Sequence, residues 1–288
     1  MIVSNTPKVA FIGFGEAAEA FATGWGATLA PQISACDIRV GEVAARAAAL
    51  GILCHTAPEA ALAGADVALC LVTADQSLAA AQACAPHLPP GLIWLDGNSC
   101  APGTKRTAAL VIEDAGGRYV DMAIMAPVHP HLNRTPALLS GPHAGAALAA
   151  LAGLNMKLSI AGQAVGDAST IKMLRSVMVK GVEALTAECL LAARRAGVEE
   201  AVLTSLEASD PGWNIRQRGA YNLERMLMHG TRRAAEMREV ARTLRDLGLP
   251  DRMAAASALW QDDLGGLGAD AGEDDLVHRL DTILDRLR

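Results

Sequence analysis

The chain has 288 residues, of which 51% are hydrophobic and 3% aromatic, and it carries a formal net charge of −6 at pH 7. The negative charge argues against nucleic acid or an anionic membrane as the main partner, and no apolar run approaches the roughly 20 residues of a membrane-spanning helix. The start of the sequence has no basic segment followed by an apolar one, and the six cysteines form no CxxC pair. We therefore expect a soluble, cytoplasmic protein with reduced cysteines.

The most specific motif follows the first apolar run, residues 9–12, which has the character of a buried strand. Its spacing is GxGxxA, and it consists of Gly13, Phe14, Gly15, Glu16, Ala17 and Ala18. Gly13 permits a tight turn, Gly15 lets the backbone approach a pyrophosphate, and Ala18 lets the following helix pack closely on the strand. The N-terminus of that helix offers backbone N–H groups to phosphates. The motif predicts a dinucleotide-binding site.

Short apolar runs alternate with helical stretches through the first half of the chain. The predicted strands are 8–13, 33–40, 67–73, 92–96, 119–122, 138–140 and 157–161. Alanine-rich segments between them, such as 42–50 and 77–85, have the character of helices. This alternation predicts an α/β fold with a doubly wound parallel sheet.

Two charged residues end the second predicted strand. Asp37 lies roughly 20 residues beyond the glycine turn, where a carboxylate binds the adenosine ribose hydroxyls of NAD. Arg39 lies two residues further on and can instead meet the 2′-phosphate of NADP. A solvated aspartate at a strand end is the alternative interpretation of Asp37. We expect NAD as the cofactor, with NADP left open.

Two further pairs of candidate residues lie at the carboxyl ends of the third and fourth predicted strands. Val72 and Thr73 end one of them at the carboxyl edge of the sheet, where such folds bind ligands. Asn98 and Ser99 follow the other, and a capped turn would explain that pair without any ligand. We predict that Val72, Thr73 and Asn98 contact the cofactor. Ser99 is predicted to contact the substrate.

Three histidines follow in the sequence, namely His129, His131 and His143. No Cys, Asp or Glu stands beside them at the spacing of a zinc site, so we predict no metal. His129 is the better candidate for a substrate contact. The roles of the other two, and of His229 in the second half, are left open.

From about residue 169 the strand signals stop. A long helix is predicted over 169–197, and the helices that follow are 199–209, 214–228, 231–247, 251–264 and 273–287. Glycine- and proline-containing segments separate these helices, and Gly230 is interpreted as one such break. We therefore predict a dinucleotide-binding domain over 1–165 and an all-helical substrate and dimerisation domain over 166–288.

Polar side chains recur at three- and four-residue steps along one face of the long helix, which is otherwise apolar. They are Ser169, Lys172, Ser176, Lys180 and Glu183, with Arg175 beside them. Burying several cations without a reason is costly, so we expect this face to border a cleft between the two halves. A lysine there can act as a general acid or base. The alternative leaves these side chains solvated, with Lys180 and Glu183 as a surface pair.

The chain resembles the β-hydroxyacid dehydrogenases, relatives of 6-phosphogluconate dehydrogenase, over essentially its whole length. The glycine motif fits at 13–18, and the family segment Asp-x-Ser-Thr-x-x-Pro is similar to Asp-Gly-Asn-Ser-Cys-Ala-Pro at 96–102. The catalytic-helix pattern Gly-x-Gly-x-x-x-Lys-x-x-Asn is similar to 166–175. The resemblance implies a Rossmann domain followed by an all-α domain that is entered through a long interdomain helix. It also implies that Lys172 is the catalytic lysine.

The chain departs from the family pattern in two places. Residues 121–129 are only loosely similar to the substrate-loop sequence Asp-Ala-Pro-Val-Ser-Gly-Gly, because they lack Ser-Gly-Gly and carry an insertion. Arg175 stands where the family has a substrate-orienting Asn, and this disfavours a sugar phosphate. Arg175 and Ser176 are predicted to bind the substrate. Together with His229 or Arg232, Arg175 can bind a carboxylate through charge-assisted hydrogen bonds.

These observations predict an NAD(P)-dependent dehydrogenase or reductase for a 3-hydroxy acid or a related alcohol, with Lys172 as general acid/base. Ser99 or a nearby backbone N–H would assist at the reacting oxygen. Two alternatives stay open, namely reduction of a C=N bond in the manner of imine reductases and a non-catalytic dinucleotide-binding protein. Lys172 counts against the first, because those relatives tend to carry Asp or Tyr there. The apolar surface of the long helix predicts a homodimer.

Overall fold

The computed structural model describes residues 6–272 and 275–287. The chain divides into two compact units, the first ending at Met173 and the second beginning at Leu174. This division falls inside a single long helix, Asp167–Arg195. The assignment of cofactor binding to 1–165 and of substrate binding and dimerisation to 166–288 stays a prediction.

The described residues of the first unit form eight strands. They are β1 (Val9–Ile12), β2 (Ile33–Cys36), β3 (Leu53–His55), β4 (Val67–Cys70), β5 (Ile93–Asp96), β6 (Arg118–Ile124), β7 (Ala137–Ser140) and β8 (Leu158–Gly162). They form one sheet in the order β3-β2-β1-β4-β5-β6-β7-β8. The order reverses beside β1, so the carboxyl ends of β1 and β4 form the crevice where doubly wound sheets bind ligands.

Helices connect these strands and continue through the second unit. They are α1 (Glu16–Trp25), α2 (Val40–Ala49), α3 (Pro58–Leu62), α4 (Ser77–Cys84), α5 (Pro102–Asp114), α6 (Ala144–Ala150), α7 (Asp167–Arg195), α8 (Glu199–Ser209), α9 (Ile215–Asp246), α10 (Arg252–Gly266) and α11 (Leu276–Arg286). The predicted α/β sheet followed by an all-α region is therefore confirmed. No helix in the described part of the chain has the length and apolar character needed to cross a membrane.

Three details of the predicted sheet are corrected. The sheet is not wholly parallel, because β6 and β7 pair antiparallel. Only one turn of 3-10 helix, Leu132–Arg134, lies between them, and a parallel pair would need a full crossover. The strand predicted at 33–40 ends at Cys36, where α2 follows closely. Strand β3 was missed because it has only three residues, none of them buried, and so lacks an apolar run.

The core lies on both faces of the sheet. Along β1, Val9 and Phe11 pack into the cluster on one face, whereas Ala10 and Ile12 pack into the cluster on the other. All four side chains are buried, as expected for a central strand covered by helices on both sides. A third cluster, built mainly from leucines of α7, α8, α9 and α11, forms the core of the helical unit.

Gly230 is not a helix break. The two helices predicted at 214–228 and 231–247 form the single helix α9, and Gly230 lies within it. A Cβ atom at this position would lie 2.3 Å from the main-chain oxygen of Gln261 and 2.7 Å from the Cα of Gly265, both in α10. The glycine is therefore required by the close approach of two backbones.

Replacing Gly230 with Ala is expected to destabilise the protein by at least about 2 kcal/mol, because two helix backbones must move apart. This loss exceeds the gain of about 1 kcal/mol that alanine brings to a helix interior. Gly181→Ala in α7 is the matched control, since its Cβ would meet nothing closer than Ser257 Oγ at 3.9 Å. The free energy of unfolding can be measured by urea titration. Equal stability changes in the two variants would contradict the contact.

Candidate active site

The glycine turn is held in place by the aspartate that directly follows the neighbouring strand β2. The backbone N–H of Phe14 donates to Asp37 Oδ2 at 2.8 Å, and that of Arg39 donates to Asp37 Oδ1 at 2.7 Å. The turn itself requires glycine at position 13, where φ is +88° and a Cβ would lie 2.7 Å from the main-chain oxygen of Leu71. The structure thus brings Asp37 to the predicted dinucleotide motif.

The space beside Gly15 is open. A Cβ added to Gly15 would meet no protein atom within 4 Å, so packing within the protein does not require this glycine. Gly15 is also the N-cap of α1, where it has no side chain to bond the first-turn N–H groups. Open space beside an uncapped helix N-terminus is what an anionic phosphate needs.

Two arginines lie near the glycine turn, namely Arg39, the N-cap residue of α2, and Arg46 within α2. Arg39 is exposed and pairs with Glu42 at 3.5 Å, a contact of little energetic weight between two solvated side chains. Arg46 Nη2 donates to the main-chain oxygen of Phe14 at 3.4 Å, and Arg46 Nη1 pairs with Glu19 at 3.4 Å. Sequence reasoning missed Arg46, because a basic residue near the end of a surface helix carries no signal of its own.

Val72 and Thr73 follow β4 and lie next to the glycine turn. A Cβ at Gly13 would lie 2.8 Å from Val72 Cγ1, and the N–H of Leu71 donates to the carbonyl of Ile12 at 2.8 Å. Val72 is half-buried and Thr73 is exposed. Of the two predicted cofactor contacts, Val72 therefore borders the turn at Gly13, and Thr73 follows it in the chain.

Asp96, at the end of β5, is a buried carboxylate with several donors. Oδ2 accepts from Ser77 Oγ and from the Tyr119 hydroxyl, both at 2.8 Å. Oδ1 accepts from Lys105 Nζ at 3.0 Å and from the backbone N–H and side-chain amide of Asn98 at 3.0 and 2.7 Å. Burial alone would raise the pKa of Asp96, but Lys105 and the hydrogen bonds hold it below its usual value.

The side-chain amide nitrogen of Asn98, which bonds Asp96, also donates to Cys70 Sγ at 3.3 Å. Its Oδ1 atom is buried and has no hydrogen-bond partner within the described residues. A buried amide oxygen without a partner is uncommon in folded proteins. The predicted contact between Asn98 and the cofactor therefore rests on this oxygen.

Ser99 and Lys172, predicted from separate segments, lie side by side. Lys172 Nζ donates to Ser99 Oγ at 2.6 Å, although the residues are 73 positions apart in sequence. Lys172 belongs to the second turn of α7, whose first turn is fixed to the sheet. The N–H of Ser169 donates to Asp121 Oδ2 at 2.9 Å, and that of Ala168 donates to Ser140 Oγ at 2.9 Å.

The histidines do not form a comparable cluster. His129 is exposed and makes no hydrogen bond or ion pair in the described part of the chain, and the peptide bond to Pro130 is cis. His143 Nε2 lies 3.8 Å from a carboxylate oxygen of Glu113. Within the described ranges, no group of three or more His, Cys, Asp or Glu side chains is arranged to hold a metal ion. The substrate contact assigned to His129 stays a prediction.

The polar residues further along the same face of α7 belong to the second unit. Arg175 is exposed, whereas Ser176 is buried and accepts from Lys180 Nζ at 3.3 Å. Lys180 pairs with Glu236 at 2.9 Å. The substrate contacts assigned to Arg175 and Ser176 stay predictions.

A surface pair of Lys180 with Glu183 is not formed. Both residues are buried, and Glu183 accepts from Arg233 and from Gln261 Nε2, the latter at 2.7 Å. Packing against α9 and α10 excludes water from these two residues of α7, so they do not form a solvated pair with each other. Lys180 pairs with Glu236 of α9, and Glu183 contacts Arg233 of α9 and Gln261 of α10.

The comparisons with other proteins match both halves of the chain. Residues 193–264 match a family described as a domain of unknown function, DUF1932. The chain is 38% identical to a conserved hypothetical protein from Sinorhizobium meliloti 1021, over 98% of this chain and 97% of that one, with a TM-score of 0.76. It is 31% identical to the conserved protein MTH1747, over 91% and 99% of the two chains, with a TM-score of 0.68.

MTH1747 is described as a protein of unknown function with structural similarity to 3-hydroxyacid dehydrogenases. The fold also matches 3-hydroxyisobutyrate dehydrogenase from Mycobacterium tuberculosis, solved with L-serine, at 13% identity over 96% and 99% of the chains and a TM-score of 0.72. The chain belongs to the β-hydroxyacid dehydrogenase family. Within this family's Asp-x-Ser-Thr segment, Asp96 is the aspartate, and the structure shows it fixing the loop that carries Ser99.

The buried charge of Asp96 gives the β-hydroxyacid dehydrogenase fold a dependence on pH. Because the folded pKa of Asp96 is lowered, its ionised form stabilises the protein above its ordinary value of 3.8, and this stabilisation is lost as the pH falls through the lowered pKa. Asp96→Asn is expected to cost about 3 kcal/mol at pH 7, because Lys105 loses a charged partner.

The free energy of unfolding of both proteins, measured by urea titration across pH, should differ by a constant amount above about pH 5 and by less below it. Glu59→Gln, which removes a negative charge from an exposed side chain of the same unit, is the control. A difference that is the same at every pH would show that Asp96 does not carry the effect.

Proposed function

We propose that this protein transfers hydride between a bound nicotinamide dinucleotide and a 3-hydroxy acid or a related alcohol or carbonyl compound. The observation that carries the proposal is the hydrogen bond of 2.6 Å between Lys172 Nζ and Ser99 Oγ. It is supported by the dinucleotide motif at the carboxyl edge of the same unit and by the family to which the chain belongs.

When bound, the nicotinamide supplies the hydride acceptor or donor at its C4 atom. In oxidation of an alcohol, neutral Lys172 takes the hydroxyl proton as the carbinol carbon becomes a carbonyl. In reduction, the Lys172 ammonium group returns that proton to the carbonyl oxygen. Ser99 accepts from Lys172, so its own hydroxyl hydrogen is available to donate to the same substrate oxygen.

The substrate that we propose carries a carboxylate. Arg175 lies one helical turn beyond Lys172 in α7 and has an exposed side chain. A guanidinium group binds a carboxylate through two parallel hydrogen bonds, and His229 or Arg232 in α9 can add a further donor. The absence of the family's Asn at this position is the reason to prefer a charged contact.

The homodimer also stays part of the proposal. Several large apolar side chains of α7 are exposed in the single chain, and they include Leu174, Met178 and Leu185. Exposed apolar side chains at helical spacing are typical of a surface that another chain covers.

Replacing Lys172 with Met should lower kcat by about 100- to 10,000-fold, the range expected when a general acid/base is removed. The dissociation constant of the cofactor should stay within about twofold, because Lys172 is assigned to proton transfer alone. Turnover can be followed through the absorbance of the reduced cofactor on a panel of 3-hydroxy acids, aldehydes and cyclic imines.

Lys157→Met is the matched control, because Lys157 is an exposed lysine of the same unit. Full activity in the Lys172 variant would refute the assignment of the acid/base. Turnover of imines alone would favour C=N reduction, and binding of the cofactor without turnover of any compound would favour a non-catalytic role.

The preferred cofactor in this proposal is NAD. Asp37 places a nearly buried carboxylate beside the glycine turn, where the 2′-phosphate of NADP would meet a like charge. Arg39 is the competing group, but its guanidinium is exposed and so is Glu42, the carboxylate with which it pairs. A buried charge acts more strongly than a solvated one, so the aspartate should decide the preference.

Asp37→Asn should therefore raise the ratio of kcat/KM with NADP to that with NAD by about tenfold or more, because the repulsion of the 2′-phosphate is removed. Asparagine keeps an oxygen that can accept from the N–H of Phe14. Arg39→Ala is the control and should leave kcat/KM with NAD unchanged. An unchanged ratio in the Asp37 variant, with a melting temperature equal to that of the wild type, would contradict this role.

A further inference from the structure

One lysine of the first unit is completely enclosed between two aspartates. Lys105, Asp96 and Asp121 each have 0% of their surface exposed. Lys105 Nζ lies 3.0 Å from Asp96 Oδ1 and 3.4 Å from Asp121 Oδ1, and it donates to the main-chain oxygen of Asp96 at 2.5 Å. Burial alone would lower the pKa of Lys105, but the two aspartates raise it, so the amine is charged. Proton transfer to substrate makes no use of this lysine.

The first aspartate connects Lys105 to the loop that carries Ser99. Asp96 Oδ1, the oxygen that Lys105 approaches, also accepts from the backbone N–H and the side-chain amide of Asn98. Asn98 immediately precedes Ser99 in the chain. The position of the serine hydroxyl therefore depends on a carboxylate that Lys105 holds.

The second aspartate connects Lys105 to the helix that carries Lys172. Asp121 Oδ2 accepts from the N–H of Ser169 at 2.9 Å and from Ser140 Oγ at 3.2 Å. Ser169 and Lys172 are three residues apart on α7 and thus lie on the same side of the helix. The carboxylate also faces the positive end of the helix dipole.

Stability alone is a weak reason for this arrangement. Burying three charges costs several kcal/mol per ion, and replacing such groups with apolar side chains often leaves a protein equally or more stable. Buried ion networks can instead fix one geometry among several, which is a hypothesis to be tested in each protein. Here the network ends one residue from Ser99 on one side and three residues from Lys172 on the other.

We propose that Lys105 is a positioning residue that sets the separation of Ser99 and Lys172 through its contacts with Asp96 and Asp121. The proposal rests on the function proposed above, in which that pair handles the substrate proton. Displacement of a reacting group by about 1 Å can cost about 100-fold in rate, so a fixed frame around the pair has a direct kinetic consequence.

The test compares Lys105→Met/Asp121→Asn with the wild type. The double variant keeps the net charge of the enclosed group at −1, since one positive and one negative charge are removed together, and the new amide oxygen can still accept from the N–H of Ser169. Asp121→Asn alone preserves side-chain volume almost completely and serves as the milder variant if the double variant folds poorly. Leu62→Ala, which truncates a buried side chain of α3, controls for loss of stability.

Three measurements are made on each protein. The first is kcat, KM and the dissociation constant of NAD. The second is the ¹³C signal of the Lys172 side chain in protein labelled at the ε-carbon of lysine. The chain contains only five lysines, so this signal can be assigned with the variant Lys172→Arg. The third is the rate of amide hydrogen exchange in the first two turns of α7.

We expect the double variant to lose at least about tenfold in kcat while binding NAD within about twofold of the wild type. Its Lys172 signal should shift and exchange at the start of α7 should accelerate, with smaller changes of the same kind in Asp121→Asn. Leu62→Ala should leave the Lys172 signal in place.

An unchanged Lys172 signal and unchanged exchange would overturn the proposal, whatever the activity. A shifted signal with wild-type kcat would overturn it too, because the separation would then not matter for turnover. If the wild type itself turns over no substrate, the proposed function fails, while the signal and the exchange rates still decide whether Lys105 positions the pair.

Discussion

The candidate site depends on one buried negative charge, the carboxylate of Asp96 at the end of β5. Taking this group out of water is costly, and its donors offset that cost by coming from four different places in the first unit. Ser77 belongs to α4, Tyr119 to β6, Lys105 to α5, and Asn98 to the loop that leads to Ser99. If any one of these elements moved independently, the buried charge of Asp96 would lose a hydrogen-bond donor. The loop that carries Asn98 and Ser99 is therefore fixed to the sheet.

A carboxylate that follows a strand also fixes the glycine turn at residues 13–15. Asp37 directly follows β2 and accepts from the backbone N–H two residues later, as Asp96 does at the end of β5. Each aspartate thereby forms an Asx-type turn, and each also accepts a hydrogen bond from a neighbouring segment. Asp37 accepts from the N–H of Phe14 in the glycine turn, and Asp96 accepts from Lys105 Nζ in α5. Two strand-end carboxylates thus shape the two parts of one sheet edge.

Much of this arrangement could be predicted from the sequence because it depends on local patterns. Runs of apolar residues indicated seven of the eight strands, and the glycine spacing located the turn at Gly13. Lys105 could not be found in this way, because a single lysine in a helix is ordinarily solvated, and its burial arises from how the helix packs on the sheet. Gly230 was misread for a related reason. A glycine required by the approach of another helix has the same local signature as one that ends a helix.

The residues assigned to cofactor binding and proton transfer all belong to the first unit. The glycine turn, the Asp96 cluster and the Ser99–Lys172 pair all lie before residue 174, within the first unit. These are also the segments in which the chain follows the pattern of its family. Its departures are residues 121–129, which begin within β6, and Arg175 at the start of the second unit. Because proteins that share a fold can differ in the compounds they bind, such departures are the first positions to examine when the substrate is sought.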